Sequence, residues 1–261
     1  MSRRAFVVVL DACGIGALPD AAEYGDEGTN TLAHLAEAVG GLRLPVLEAL
    51  GLGCIAPLRG VAPASDPVLH GRLHPLGPGK DSTTGHWELM GVVPPVRMPT
   101  YPEGFPDAVV AALEGATGQR FCCNRPYNGI AAIDDFGERH LATGELILYT
   151  SQDSVLQLAA HEDRFGIEAL DAVCGRARAV LTGDHAVGRV IARPFRGEPG
   201  RFRRTEGRRD HALPPPGRSV LEDLDEVHAV GKVADLFAYT YATRVPNAPT
   251  AFPGDPIIDI R

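Results

Sequence analysis

The chain has 261 residues, enough for one large hydrophobic core or for two domains. Its 44% hydrophobic and 22% charged residues make an ordinary composition for a soluble globular protein. The formal charge of −8 argues against a nucleic-acid partner, because nucleic-acid binders usually carry a basic surface. A local cluster of five arginines at 201–209 favours an anionic small molecule instead.

The cysteines and the N-terminal residues indicate in which cellular compartment the protein is expected. The five cysteines are odd in number and contain no Cys-x-x-Cys pair, so neither a disulfide framework nor a structural zinc site is expected. The apolar run before Asp11 has only six residues, 5–10, fewer than a signal peptide or a membrane span of ~20 residues requires. The sequence therefore predicts a cytoplasmic protein with no membrane partner.

The first predicted element is a strand at residues 5–10 (AFVVVL), since a continuous β-branched run is typical of a strand buried on both faces of a parallel sheet. Asp11 follows this strand, at the end where α/β sheets carry their chemistry. Capping of the next element is an equally good interpretation of Asp11. Helical spacing then predicts helices over 29–39 and 44–50.

In the middle of the chain, the sequence pattern predicts loops, helices and strands in alternation. A polar, glycine-bearing loop at 77–91 leads into 93–106, where five prolines indicate a linker or domain boundary. The further predictions are an amphipathic helix at 106–115, strands at 146–150 and 188–192, and mainly helical structure over 155–181.

The end of the chain changes character. Residues 194–217 are rich in Gly, Pro and Arg and predict a loop that returns to the first domain, followed by a buried strand at 227–233. From residue 238 onward four prolines and the lack of any period predict a loose tail.

The segment GKDSTTGHWE at 79–88 places three hydroxyl residues just before a glycine and His86. A nucleophile for phosphoryl transfer needs a hydroxyl on a loop or helix start, where backbone N–H groups can meet a phosphate. The string alone favours a plainer interpretation, a helix N-cap, because Ser and Thr are common there.

The longer segment GKDSTTGHWELMGV resembles the signature of the phosphopentomutases, metal-dependent enzymes of the alkaline phosphatase superfamily. Trp87 after His86 separates this signature from that of the related cofactor-independent phosphoglycerate mutases. Further segments of the chain follow the family's order, so that the resemblance covers about 4–236: VVLDACGIGALPDAAEYGDEGTNTLAH, YPEGFP, YTSQDSVLQLAAHE, VGRVIARPFRGEPG and RTEGRRDHAL.

The resemblance implies roles for particular residues. Asp11 matches a metal ligand, and Ser82 matches the hydroxyl that carries the phosphoryl group and binds the same metal, although the family more often has Thr there. The residues matched to substrate binding are Ser151 and Asp153, which would face the sugar hydroxyls, and Arg193 and Arg208, which would contact the distal phosphate. Supporting roles fall to Lys80, Thr84 and His86.

The resemblance also implies a reaction and its cofactors. The enzyme would interconvert (deoxy)ribose 1-phosphate and (deoxy)ribose 5-phosphate through a phosphorylated Ser82 and a bisphosphate intermediate. It would need two divalent metal ions, usually manganese, and a sugar bisphosphate primer. Its partners would be small-molecule pentose phosphates.

The implied fold is α/β, with a core sheet of alkaline phosphatase type, helices on both its faces, and a smaller α+β cap domain inserted. The core would comprise 1–98 and a return segment at 218–238, the cap would span 99–217, and 239–261 would be a divergent tail.

The sequence departs from the family where most metal ligands are expected. An Asp-His-Gly motif is missing, and neither Asp184-His185 nor Asp210-His211 is followed by Gly. We therefore expect a chain truncated or frameshifted after about residue 238, with part of the core missing and weak or no mutase activity. Two alternatives stay open: a non-catalytic fragment that at most binds sugar phosphate through its cap, and another phosphotransferase of the superfamily, such as a phosphatase.

Overall fold

A computed structural model of the chain describes residues 6–10 and 13–224. Asp11, the strand predicted at 227–233 and the tail after residue 238 lie outside the described residues. The chain divides into two compact units, 1–74 and 75–261, which are described separately. The predicted division into core and cap remains a prediction.

The first unit is helical, with α1 at Thr31–Ala38, α2 at Pro45–Leu50 and α3 at Leu52–Ile55. The side chain of Asn30 caps α1 by accepting from the amide of Ala33 at 3.1 Å. Gly51 ends α2 in a left-handed conformation with φ 109°, which glycine adopts at little cost. The helices predicted at 29–39 and 44–50 are confirmed.

The strand predicted at residues 5–10 is wrong for residues 6–10. They are not part of any strand that the structure describes, and Phe6 and Val8 are 82% and 81% exposed. An apolar β-branched run becomes a strand only when a neighbouring strand satisfies its backbone groups. The composition of a segment does not reveal whether that neighbour exists.

The second unit contains a six-stranded mixed sheet. The strands are β1 Phe121–Pro126, β2 Leu146–Thr150, β3 Val155–His161, β4 Arg189–Arg196, β5 Arg203–Arg204 and β6 Arg209–Ala212. The order is β1-β2-β3-β4-β5, with β6 also paired to β4. β1 and β2 are parallel, as are β3 and β4, while the other pairs are antiparallel.

Helices lie on both faces of this sheet. Those of the second unit are α4 Ser82–Leu89, α5 Asp107–Thr117, α6 Gly129–Thr143, α7 Glu162–Phe165 and α8 Ile167–Val180. One core cluster packs α5 and α8 against side chains such as Leu148 and Leu158. The other packs α6 against the opposite face, around Ile147 and Phe195. The predicted α/β class is confirmed, as are the helix at 106–115 and the strand at 146–150.

Three predictions for this unit need correction. Residues 155–181 are mainly helical, as predicted, through α7 and α8, but they begin with β3, in which all seven residues are buried. A short apolar run buried on both faces cannot be told from helix by its period. Residues 194–217 are more than a loop, since β4 extends to Arg196 and the arginine-rich segment forms β5 and β6. The polar loop at 77–91 contains α4. Neither β1 nor α6 is predicted by the sequence pattern.

None of the helices formed by residues 6–10 and 13–224 is both long and apolar enough to pass through a lipid bilayer.

Candidate active site

The candidate site is built around the start of α4, where Ser82 is the first helical residue. The N-cap is Asp81, whose Oδ1 accepts from the amide of Thr83 at 2.7 Å. Its Oδ2 accepts from the amide of Ser154 at 2.7 Å, so one carboxylate joins α4 to the loop between β2 and β3. Burial, followed by the nearby carboxylate of Asp153, raises the pKa of Asp81.

Because Asp81 provides the cap, the hydroxyl of Ser82 is not used for capping. Ser82 Oγ donates instead to Asp153 Oδ2 at 3.2 Å, and both side chains are part-buried. His86 lies one turn along the helix, with Nδ1 2.6 Å from the carbonyl oxygen of Ser82, so it donates from Nδ1. The hydroxyl thus sits at a helix start and faces a carboxylate, as a predicted phosphoryl acceptor should.

The loop between β2 and β3 carries the residues predicted to face the sugar. Ser151 Oγ accepts from the amide of Asp153 at 3.3 Å, which holds the turn that presents this carboxylate to Ser82. Lys80 Nζ donates to Gln152 Oε1 in the same loop at 3.3 Å. The structure therefore brings four predicted site residues together: Lys80, Ser82, Ser151 and Asp153. Thr84 supports the helix start, since its hydroxyl donates to the carbonyl of Asp81 at 3.0 Å.

Gly188, immediately before β4, lies against the start of α4. A Cβ on Gly188 would stand 2.8 Å from Met98 Sδ and 3.2 Å from Thr83 Oγ1. Its amide donates to Ser154 Oγ at 3.1 Å. This close approach requires glycine and brings the first residue of β4 next to Asp153.

That first residue is Arg189, which the sequence analysis missed. Its side chain is 4% exposed, with Nη2 3.0 Å from Asp153 Oδ2 and Nη1 3.5 Å from Asp210 Oδ2. Asp210, 1% exposed, also accepts from Nε and Nη2 of Arg208, each at 2.5 Å. A continuous chain of polar contacts thus runs from Ser82 to Arg208. The signal in the sequence was an arginine just before the three apolar residues 190–192 of this strand.

Arg193 lies four residues further along β4, on the same face as Arg189. Its Nε donates to Gln157 Oε1 at 3.1 Å, and burial, aided by the charges of Arg208 and Arg204, lowers its pKa to about 10. The two arginines predicted from the family, Arg193 and Arg208, are thus close enough to interact electrostatically. Arg204 joins this cationic group; it belongs to the arginine cluster at 201–209 but was not among the predicted site residues.

The start of α6 borders the same cationic group. The space that a Cβ on Gly129 would need is taken by Arg204 Nη2 and by Tyr149 Oη, 2.7 Å away. Tyr149 is fully buried, and its hydroxyl has no hydrogen-bond partner among the described residues. Guanidinium groups and a helix start both attract negative charge, so this arrangement suits an anion.

The described residues do not form a metal site. No group of three or more His, Cys, Asp and Glu side chains within 6–10 and 13–224 is arranged to hold an ion. Both oxygens of Asp81 are engaged by backbone amides, and Asp153 is paired with Arg189. Asp11, the other predicted ligand, lies outside the described residues.

The two Asp-His pairs have other contacts. His211 Nε2 pairs with Asp171 Oδ1 at 2.8 Å, and His185 Nδ1 lies 2.6 Å from Tyr101 Oη. Asp210 is engaged by two arginines.

The chain was compared with protein-family models and with curated proteins. No protein-family model matches the chain. The phosphopentomutase of Caldanaerobacter subterraneus subsp. tengcongensis is 49% identical over 243 residues, covering 91% of this chain and 62% of the relative. That of Carboxydothermus hydrogenoformans is 49% identical over 241 residues, covering 90% and 62%. That of Herpetosiphon aurantiacus is 47% identical over 241 residues, with the same coverage.

The chain thus spans about 62% of the length of these curated relatives. The aligned region includes nine tenths of the chain, which chance similarity does not explain at such identity. The resemblance seen in the motifs is confirmed, and the chain is related to the phosphopentomutases along nine tenths of its own length.

Proposed function

We propose that the chain provides the phosphoryl-accepting and sugar-binding parts of a phosphopentomutase, which interconverts (deoxy)ribose 1-phosphate and (deoxy)ribose 5-phosphate. The observation that carries the proposal is the hydrogen bond of 3.2 Å between Ser82 Oγ and Asp153 Oδ2 at the start of α4. The similarity to proteins named phosphopentomutase supports it, although the chain corresponds to only 62% of their length.

Ser82 takes the phosphoryl group in this proposal. The first turn of α4 offers backbone N–H groups to a phosphate on this hydroxyl. Asp153 accepts the Ser82 proton in a hydrogen bond and thereby orients the oxygen toward its phosphoryl donor. His86 holds the first turn through its contact with the Ser82 carbonyl.

The sugar phosphate lies between Ser82 and the arginines. Ser151 and Asp153, on the loop between β2 and β3, contact the sugar hydroxyls. The distal phosphate binds near Arg193 and Arg208, which share a cationic group with Arg204. Bidentate contacts between guanidinium and phosphate favour such a site strongly.

The metal cofactors are proposed from the family resemblance alone. Two divalent ions, manganese in particular, would be bound partly by Asp11 and Ser82 and would stabilise the attacking and leaving oxygens of phosphoryl transfer. The described residues alone do not fit such a site, because they contain no cluster of metal-binding side chains. Manganese titration followed by calorimetry tests this part: two bound ions would support a mutase, and one weakly bound ion or none would support a non-catalytic fragment.

Partners and location complete the proposal. The ligands are pentose phosphates and a sugar bisphosphate primer, with neither nucleic acid nor a membrane. Five free thiols, two of them adjacent at Cys122 and Cys123, are compatible with a reducing cytoplasm.

The decisive experiment is a mutase assay on the purified chain with manganese and a sugar bisphosphate primer. Conversion of ribose 1-phosphate to ribose 5-phosphate by the wild type and by Ser82→Thr, which keeps the hydroxyl, would support the proposal even if the turnover is weak. Ser82→Ala should have no activity. Equal turnover in the wild type and Ser82→Ala would contradict the proposed role of Ser82.

A second candidate function is a non-catalytic sugar-phosphate binder. It is favoured by one observation, the absence of a metal-binding cluster among residues 6–10 and 13–224. It predicts no turnover, with equal affinity of the wild type and Ser82→Ala for ribose 5-phosphate. A phosphatase would instead release inorganic phosphate from the same substrate.

A further inference from the structure

We propose that Asp81 is a positioning residue that fixes the sugar-binding loop at 151–153 against the Ser82 hydroxyl, in addition to capping α4. The inference rests on the proposed function, in which this loop holds the sugar while Ser82 takes the phosphoryl group. Asp81 would act on neither of them directly. It acts through the amide of Ser154, the residue that follows the loop.

The carboxylate of Asp81 makes more contacts than a helix cap requires. An N-cap side chain serves the first turn through one accepting oxygen, and Asp81 Oδ1 does so by accepting from the Thr83 amide at 2.7 Å. Oδ2 accepts at the same distance from the amide of Ser154, which lies 73 positions later in the chain. Hydrogen bonds to a carboxylate are stronger than those between neutral groups, so this second contact links α4 closely to the loop.

Ser154 gives this link a rigid anchor. Its side chain is completely buried, and its Oγ donates to the Pro99 carbonyl at 2.5 Å and accepts from the Gly188 amide at 3.1 Å. Its carbonyl accepts from the amide of the residue after Gly188 at 3.2 Å. The hydroxyl and the carbonyl of Ser154 are therefore held by the segments before α5 and at the start of β4, and its amide reaches α4.

A second hydrogen bond runs beside the first. Ser82 Oγ donates to Asp153 Oδ2 at 3.2 Å, so two adjacent residues at the start of α4 contact two adjacent residues at the end of the loop. The Ser154 amide belongs to the peptide plane that contains the Asp153 Cα, so Asp81 fixes the backbone from which the Asp153 side chain extends. Without Asp81, the loop could pivot about its contact with Ser82.

The contact of Lys80 with the same loop cannot replace this link. Lys80 Nζ donates to Gln152 Oε1 at 3.3 Å, and the contact is exposed. Exposed contacts of long charged side chains contribute little, because water competes for the charge and ordering the side chain costs entropy. The placement of the loop therefore depends on Asp81.

Asp81→Asn separates the two roles of this carboxylate. Asn is as good an N-cap as Asp, so its side-chain oxygen can still accept from the Thr83 amide. Its NH2 group then faces the Ser154 amide, and two donors form no hydrogen bond. Asp81→Ser is the second variant, because Ser is also a good N-cap but has one side-chain oxygen in place of two. It keeps the test valid if Asp81→Asn fails to fold.

The first test measures the order of the loop without any ligand. NMR relaxation gives the order parameters of the backbone amides at 151–153 and at Thr83 in the wild type and both Asp81 variants. We expect the loop values to fall from about 0.85 to about 0.6, while Thr83 stays near its wild-type value because the cap is kept. A role in capping alone predicts wild-type order in the loop, and that outcome would overturn the inference.

The matched control is Asn30→Asp, the reverse exchange at the start of α1. Asn30 caps that helix by accepting from the Ala33 amide at 3.1 Å. Because Asp and Asn are equivalent as caps, this variant should keep the wild-type order at 151–153. If Asp81→Asn lowers the melting temperature but leaves the loop as ordered as in the control, Asp81 has a structural role only and the inference is wrong.

The second test measures the consequence for turnover. The kcat for conversion of ribose 1-phosphate should fall by about tenfold or more in Asp81→Asn, with KM within about threefold of the wild type. The reason is that the arginines proposed to bind the phosphate are unchanged, whereas the sugar is no longer held at the right distance from Ser82. A kcat within about twofold of the wild type would contradict the inference. If the wild type does not convert the sugar phosphate, the proposed function fails, and the order parameters still decide whether Asp81 fixes the loop.

Discussion

Polar side chains are buried at both ends of strands β3 and β4, but their partners differ between the two ends. At their start, Arg189 and Asp210 are buried as ions, and their partners reach toward the surface. At their end, His140 and His161 are buried beside Phe195 and paired through neutral hydrogen bonds. The charged arrangement lies where a charged ligand is proposed to bind, and the neutral one lies where only packing is required.

The histidine pair is fully satisfied within the protein. His140 Nδ1 donates to the carbonyl of Glu145 at 2.8 Å, and its Nε2 accepts from the amide of His161 at 2.9 Å. His161 Nε2 contacts the carbonyl of Gly197 at 2.9 Å, and its Nδ1 accepts from the amide of Asp163. Each ring thus uses one nitrogen as donor and one as acceptor. We therefore expect the histidine end of β3 and β4 to contribute to stability, and the arginine end to contribute to ligand binding and turnover.

The largest expected effect is on turnover at the charged end. Ser82→Ala should lower mutase turnover by about a thousandfold or more, because no other hydroxyl replaces the phosphoryl acceptor. Its melting temperature should stay close to that of the wild type, since Asp81 rather than Ser82 caps α4. Steady-state kinetics and thermal unfolding of the same sample check both statements, and a large loss of stability would contradict the second.

The next largest effect is on stability at the neutral end. His140→Ala should lower the free energy of unfolding by about 2–4 kcal/mol, because it leaves a cavity and an unpaired amide at His161. Denaturant unfolding measures the loss. Affinity for ribose 5-phosphate should not change, and a loss of affinity equal to that of an Arg193 variant would show that the two ends are not independent.

A smaller effect is expected at Gly129, at the start of α6. Gly129→Ala should displace Arg204 and Tyr149 and weaken ribose 5-phosphate binding by about tenfold, a free energy of about 1.4 kcal/mol. Gly115→Ala is the matched control, because Gly115 lies in α5 with open space around it. That control should raise stability by about 0.5–1 kcal/mol and leave affinity unchanged. Calorimetry measures the affinity of both variants for ribose 5-phosphate, and denaturant unfolding measures their stability. Unchanged affinity in Gly129→Ala would count against the anion site.

The smallest effect is a pH dependence. Burial lowers the pKa of His140 below its ordinary value of 6.5, so the unfolded chain takes up this proton at a higher pH than the folded protein does. The stabilisation from neutral His140 is therefore complete above about pH 6.5 and declines as pH falls, by at most about 1.4 kcal/mol per pH unit.

His140→Gln isolates this effect, because an amide can make similar hydrogen bonds without titrating. Urea unfolding of both proteins between about pH 7.5 and about pH 5.5 should show the wild type losing its advantage as pH falls. A difference in stability that is constant with pH would rule out His140 as the titrating group.

The sequence predicted the elements whose signals are local. Helix α1 follows a capping Asn30, and α2 ends at Gly51, so their bounds could be predicted closely. Strand β3 was mistaken for helix, and residues 6–10 for a strand, because both depend on neighbours that are distant in the chain. Pairing across a sheet is a property of the fold and leaves only a weak trace in a single segment.

The candidate site likewise contains residues that were predicted from the sequence and residues that were missed. The resemblance pointed to Ser82, Asp153, Arg193 and Arg208, and the structure places these four residues in one region of the second unit. Arg189 was missed because its importance comes from contacts with residues 36 positions before it and 21 after it. Asp81 was missed because the neighbouring Ser and Thr residues are equally common at a helix N-cap, so the sequence did not show which residue caps the helix.

The carboxylate of Asp81 has one more consequence, for the way this region opens. Its two oxygens hold the amide of Thr83 in α4 and the amide of Ser154 in the loop between β2 and β3. Neither segment can detach without releasing a buried charge from the other. The helix and the loop should therefore open as one cooperative unit in native-state hydrogen exchange, with matching opening free energies at Thr83 and Ser154.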